Sequence, residues 1–241
     1  MATLPVQKTA CVTLASSGHG FLQGICGQKM LLDKFMPGHD HVAIIEEGAY
    51  TQGQLDYLER IGWKLSILPP LRSETTKFAA ARWPHTFTKL HLWNLKYDRV
   101  VYMDADAIPC LPYNELFDIE IDNLAATQTL NQPARFRSGM MAIAPSWDVF
   151  AMLMEVLALP AKENAAMLGD QGILNVAFGS YTQLPPHYHL VDWNQMVPNP
   201  RIVHIRPVPW GKGKRPSSQL PYVQRWKDAF AQCEKAWGKL P

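Results

Sequence analysis

No C-x-x-C pair joins the four cysteines of this 241-residue chain, Cys11, Cys26, Cys110 and Cys233, so neither a zinc knuckle nor a dithiol redox site is written into it. Thiols spread this far apart point to a reducing compartment. No apolar run approaches the roughly 20 residues that span a bilayer. The first residues, Met1 to Lys8, lack both the charged lead and the apolar stretch of about 7 to 15 residues that mark a secretory signal. The expectation is a cytoplasmic protein with no membrane span. Charge of one sign is scarce too: 23 Lys and Arg against 21 Asp and Glu leave a net charge of +2, too mild for a nucleic-acid partner. Internal repeats, low-complexity tracts and charge runs are absent as well.

What is present is a composition 47% hydrophobic and 18% charged, enough apolar matter for a packed core. The length suits a single domain over residues 1–241. Ala10 to Ala15 reads as a buried strand entering a loop at Ser16-Ser17-Gly18, Val42 to Ile45 as a second strand, Gln54 to Ile61 as a helix and Leu65 to Leu68 as a strand stopped by Pro69-Pro70. Alternating strands and helices imply a parallel sheet with helices on its faces. Phe87, Leu90, Trp93 and Tyr97 carry helical spacing, Val100 to Met103 reads as a strand, and Met140 to Ala144 as another. Ser146 is placed to cap a helix running to about Leu157, and Gly169-Asp170-Gln171 opens the next. A last helix, about 221–238, carries Val223, Trp226, Phe230, Cys233 and Trp237 on one stripe and ends at Gly238. The stripe suits core packing, with a dimer surface as the alternative. The Pro- and Gly-rich stretch from Asn199 to Pro221 reads as a wrapped loop.

Asp104 and Asp106 follow the apolar strand at Val100 to Met103, and in open α/β sheets ligands sit beyond the carboxyl ends of strands. If the strand continues to Asp106, both side chains leave on one face. Carboxylates roughly 5 Å apart at an effective dielectric near 20 repel by about 3 kcal/mol, which a bound cation reverses. Two turn-forming aspartates at a strand exit fit the spacing equally well. His204 alone reads as an ordinary core or loop histidine.

The wider text separates these readings. Thr88-Lys89-Leu90-His91-Leu92-Trp93, Val101-Tyr102-Met103-Asp104-Ala105-Asp106, Phe136-Arg137-Ser138-Gly139, Gly169-Asp170-Gln171-Gly172-Ile173-Leu174-Asn175 and Val203-His204 with Pro209-Trp210 stand in this order. The chain thereby resembles the glycogenin-like glycosyltransferases of family 8. The resemblance implies an α/β fold of the GT-A type, a Rossmann-like mixed sheet flanked by helices. It further implies a UDP-sugar donor, retention of anomeric configuration and a divalent metal, usually Mn²⁺, with Mg²⁺ as the alternative. It assigns Asp104, Asp106 and His204 to the metal, and oxygen ligands plus an imidazole suit Mn²⁺ better than Ca²⁺ or Mg²⁺. It carries Lys89 to the donor phosphates or sugar hydroxyls, Asp170 and Gln171 to the sugar near the anomeric carbon, and Leu14, Ala15 and Ser16 to the base and ribose. Ala105, Arg137, Ser138 and Gly139 fall in blocks that line the donor. Retention follows either double displacement or same-face attack, and the residues leave both open.

Two departures stand out. Arg137 occupies a place where the family commonly has Asn, which puts the donor sugar in doubt. The block His204-Ile-Arg-Pro-Val-Pro-Trp210 is short and lacks the usual Gly and Lys, which moves phosphate contact to Arg206, Lys212 or Lys214. No tyrosine matches a self-glucosylation site, and Tyr181 and Tyr188 read as packing residues. The expected acceptor is a separate glycan, polyol, lipid-linked sugar or protein side chain. His187 and His189 read as loop histidines. A nucleotide-sugar-binding protein without turnover is the alternative function. An NAD-linked oxidoreductase, with Gly18, Gly20 and Gly24 as its turn and Glu46 or Glu47 as ribose acid, is remote because its glycine spacing is wrong.

Overall fold

The structure, a computed structural model, describes residues 7–16, 19–73, 85–121, 123–130, 132–160, 163, 165–191, 197–206, 208–212, 214 and 217–241. Ser17, Gly18 and Pro207, named in the loop readings above, lie outside them. Four strands run parallel: β1 (Thr9–Ala15), β2 (Asp40–Glu46), β3 (Lys64–Leu68) and β4 (Arg99–Met103). Three more complete a mixed seven-stranded sheet: β6 (Leu124–Thr129), β7 (Gln132–Ile143) and β8 (Thr182–Leu184), in the order β3-β2-β1-β4-β7-β6-β8. β7 pairs antiparallel with β4, which makes the sheet mixed, as the family resemblance implies. A two-stranded ribbon joins β5 (Ala107–Pro109) to β9 (Ile202–His204).

Helices cover both faces. α1 (His19–Phe35), α2 (Gln52–Arg60) and α5 (Leu220–Trp237) pack Leu22, Tyr57 and Cys233 against Cys11 and Ala15 of β1. On the other face α3 (Trp147–Ala158), α4 (Asp170–Ala177) and a 3-10 helix, Thr86–Asn94, bring Phe150, Ile173 and Phe87 onto Val12 and Leu14. Because β1 meets apolar side chains on both sides, it is a continuous apolar run without alternation.

Several expectations change. α1 was not anticipated, because its glycines at Gly20, Gly24 and Gly27 argue against a helix interior, and here they accommodate the indoles of Trp210 and Trp226. The Phe87 segment is a 3-10 helix and not an α-helix. β4 stops at Met103, so the two aspartates sit in a turn and not on one strand face. Ser146 occupies the N-cap of α3 without a side-chain capping bond, and Trp237 is 43% exposed, outside the packed part of the α5 stripe. The stretch after Asn199 is more than a loop, since it supplies β9.

Candidate active site

β1, β2 and β4 end on the same side of the sheet, so Ser16, Glu46 and Asp104 emerge along one crevice. The turn after β4 is fixed by its backbone: Asp104 N donates to Gly139 O at 3.0 Å and Ala107 N donates to Asp104 O at 2.9 Å. Gln28, fully buried on α1, donates from Nε2 to the carbonyls of Asp104 and Ala107 at 3.1 and 2.8 Å. The ribbon register places His204 opposite Ala107, one residue beyond Asp106. His204 Nε2 thereby lies 3.0 Å from Asp106 Oδ1. Burial pushes the Asp106 carboxyl up, but the His204 imidazole beside it and the Arg206 charge outweigh this and hold it below its ordinary value.

Asp104, Asp106 and His204 each present a ligand atom, and these atoms lie within 4.8 Å of one another. Gly139 packs closely on two of them: a Cβ there would stand 2.9 Å from His204 Nδ1 and 3.0 Å from Asp104 Oδ2. Two carboxylates and a buried imidazole converging on one gap fit a divalent cation.

Lys89, 4% exposed, reaches across the 3-10 helix with its Nζ 2.9 Å from Asp104 Oδ1 and 2.7 Å from Asp170 Oδ2. Burial alone would lower the ammonium, but the two carboxylates outweigh it and keep Lys89 charged. Its Nζ also donates to Ser138 O at 3.4 Å. Tyr102 OH donates to Asp104 Oδ1 at 2.6 Å, and Thr86 Oγ1 donates to Asp170 Oδ1. Asp170 and Gln171 open α4, which is tied to β7 by Asn175, accepting from Phe136 N at 3.0 Å and donating to Phe136 O at 3.1 Å.

The other sequence-named residues are spread around this centre. Leu14, Ala15 and Ser16 are buried at the end of β1, where Tyr50 OH donates to Ser16 O. Ala105 is buried in the turn, and Arg137, Ser138 and Gly139 lie on β7. Arg206 is near enough to act on Asp106, whereas Lys212 and Lys214 are exposed on the following segment. Tyr181 packs its ring on Phe136, and Tyr188 OH donates to Glu115 Oε1 at 3.0 Å.

His189 corrects the loop-histidine expectation. It is 4% exposed, its Nε2 lies 3.1 Å from His204 Nδ1, and its Nδ1 lies 3.4 Å from Thr127 Oγ1. Burial, and then the neighbouring His204, Arg137, Arg206 and Lys89, hold it well below its ordinary value and so neutral. A metal-ligating histidine usually has its second ring nitrogen held by a hydrogen-bond partner, and His189 stands in that place beside His204. No sequence signal marked it, since the Leu190 to Val203 bridge that seats it is non-local. Glu46, the remote ribose acid, is instead engaged by Arg72, Thr88 and His85.

The mixed seven-stranded sheet flanked by helices is the GT-A fold of solved glycosyltransferases. The galactosyltransferase LgtC, solved with donor and acceptor sugar analogs, superposes with a TM-score of 0.69 at 16% identity over 96% of this chain and 97% of that one. The apo glycosyltransferase GlyE of Streptococcus pneumoniae gives 0.67 at 18% identity over 97% of this chain and 65% of that one. Residues 51–205 match the family described as Glycosyl transferase family 8, and the chain belongs to it. UDP-glucuronate:xylan alpha-glucuronosyltransferase 1 of Arabidopsis thaliana is 27% identical over 190 residues, 77% of this chain and 27% of that protein. Human Glycogenin-1 is 36% identical over 106 residues, 44% of this chain and 29% of that protein. The chain thus spans less than a third of each of these curated relatives. Among the described residues no helix is long and apolar enough to cross a membrane.

Proposed function

We propose that the chain is a retaining glycosyltransferase that moves a hexose or related sugar from a UDP-sugar donor to a glycan, polyol, lipid-linked or protein acceptor. The observation that carries this is the convergence of Asp104, Asp106 and His204 within 4.8 Å, with Lys89 beside them. Asp104, Asp106 and His204 would hold Mn²⁺, which when bound supplies Lewis-acid neutralisation of the donor diphosphate. Lys89 adds a fixed positive charge at the same edge, placed to stabilise negative charge growing on the departing nucleoside diphosphate. His189 holds the His204 ring in orientation. Asp170, fixed by Lys89 and Thr86, faces the same gap with Gln171 next in chain, a polar pair suited to orienting the sugar. Leu14, Ala15 and Ser16 at the end of β1 would meet the base and ribose. Two relatives support the reading: the plant glucuronosyltransferase is named for a UDP-glucuronate donor, and LgtC was solved with a donor sugar analog.

The test is UDP release from a panel of UDP-sugars with and without Mn²⁺, alongside Asp106→Asn. Mn²⁺-dependent release that Asp106→Asn abolishes is expected. Donor binding without release from any sugar would favour a nucleotide-sugar-binding protein instead, and release unchanged in Asp106→Asn would remove the metal assignment.

A further inference from the structure

The two carboxylate oxygens of Asp104 stand in different surroundings. Oδ1 is engaged twice, by Tyr102 OH, which donates at 2.6 Å, and by Lys89 Nζ, 2.9 Å away. Oδ2 faces Gly139 and His204: the place of a Cβ on Gly139 is a single point 3.0 Å from Oδ2 and 2.9 Å from His204 Nδ1. One oxygen is therefore held by the interior of the protein, and the other is on the side of the imidazole.

The fold leaves Tyr102 little freedom. It sits on β4 in the middle of the sheet, with Val12 of β1 on one side and Met141 of β7 on the other, and is 1% exposed. Its ring packs in the apolar cluster that holds Leu90 and Phe136. A tyrosine buried this deeply needs a partner for its hydroxyl, and Asp104 Oδ1 supplies it. The ring has a second use, because Lys89 Nζ lies 4.9 Å from its centroid, within range of a cation–π contact. Tyr102 thus supports the ammonium with its face and grips the carboxylate with its hydroxyl.

We infer that Tyr102 is a positioning residue for the metal: it holds Asp104 to ligation through Oδ2 alone and so sets the site against Ca²⁺. The inference rests on the metal-dependent reading proposed above. Hydrogen bonds to an ionised carboxylate are short and strong, and two of them on one oxygen occupy its lone pairs. Ca²⁺ takes about six to eight oxygen ligands in flexible geometry and draws on both oxygens of a carboxylate, so a small and rigid ligand set selects against it. Partners behind the ligands are what orient them and tune the metal. His189 stands in that position for His204, and Tyr102 for Asp104.

Tyr102→Phe is the discriminating variant, since it keeps the ring beneath Lys89 and removes the hydroxyl alone. Calorimetric titration of the full chain with Mn²⁺ and with Ca²⁺ measures wild type, Tyr102→Phe and Asp106→Asn. Tyr102→Phe is expected to bind Mn²⁺ about 10- to 100-fold more weakly and Ca²⁺ with a smaller loss, because Asp104 can now offer both oxygens, so the preference for Mn²⁺ narrows. A loss equal for the two ions, or none, overturns the inference, since a residue that only packs has no means of telling one cation from the other. Circular dichroism checks that the variant is folded. If it is not, the infrared difference spectrum of the wild type on adding Mn²⁺ decides, with the Asp104 bands identified by their loss in Asp104→Asn. Ligation through one oxygen widens the gap between the asymmetric and symmetric carboxylate stretches, and a narrowed gap, the mark of both oxygens on the metal, overturns the inference. Asp106→Asn keeps the two readings apart. Mn²⁺ binding that Asp106→Asn leaves unchanged removes the metal site itself, whereas binding lost in Asp106→Asn and untouched in Tyr102→Phe removes the role of Tyr102 alone.

Discussion

Lys89 Nζ lies 2.7 Å from Asp170 Oδ2, joining the 3-10 helix at Thr86–Asn94 to the first turn of α4. The same ammonium contacts Asp104, so one buried cation serves two carboxylates. Replacing it leaves both carboxylates facing each other without compensation, and stripping one partner from a buried pair costs about 3–5 kcal/mol. Lys89→Met is expected to lower the urea midpoint accordingly, and added Mn²⁺ is expected to restore part of the loss by neutralising Asp104. A midpoint indifferent to both changes would mean that the ion pairs contribute little.

Gly139 shows how closely the candidate ligands are set. A methyl group there would meet His204 Nδ1 and Asp104 Oδ2 at about the separation of a hydrogen bond, too near for carbon. Gly139→Ala should therefore push the imidazole or the carboxylate aside with little effect on the sheet. Mn²⁺ affinity is expected to fall about 10- to 100-fold, the range for displaced support around a metal ligand. Titration calorimetry with Mn²⁺ alone measures it, and an affinity matching wild type would count against this being the metal site.

Legibility in the sequence followed the range of the forces involved. β1, β2 and β4 were readable because each is a short apolar run buried on both faces, and β3, a partly exposed edge strand, because Pro69-Pro70 stops it. α1 was not, because Gly20 and Gly24 lower local helix propensity and are explained by Trp210 and the Ala105 carbonyl, which arrive from far along the chain. Asp104 and Asp106 were visible as a motif, but their convergence comes from a turn held by Gln28 and Gly139 and not from strand alternation. His189 acquires its position through a bridge between Leu190 and Val203, and nothing in its neighbours encodes that.

Gly24 is the tightest test of the approach of α1 to the site. A Cβ there would stand 2.8 Å from the carbonyl oxygen of Ala105, between the two aspartates, and would also strike the Trp210 ring. Backbone on one side cannot yield cheaply, so Gly24→Ala should cost about 1–3 kcal/mol, as overpacking does. Displacing Trp210 should also raise its fluorescence emission wavelength as the indole leaves its apolar seat beside Phe21 and Trp226. An unshifted spectrum with wild-type stability would show that α1 has room to move.

Glu46 gives the fold an acid limit. Burial pushes its carboxyl up, but hydrogen bonds from Arg72, Thr88 and His85 outweigh burial and hold it below its ordinary value of 4.5. A carboxylate held low in the folded state stabilises that state above its unfolded value, and the contribution disappears as pH falls through the folded one. Glu46→Gln is expected to cost about 1.5–3 kcal/mol at neutral pH, the worth of hydrogen bonds to a charged group. Measured by urea unfolding, the gap between wild type and variant should persist down to about pH 4.5 and narrow below it. A gap of constant size through the acid range would mean that the Glu46 charge adds nothing and that shape alone is responsible.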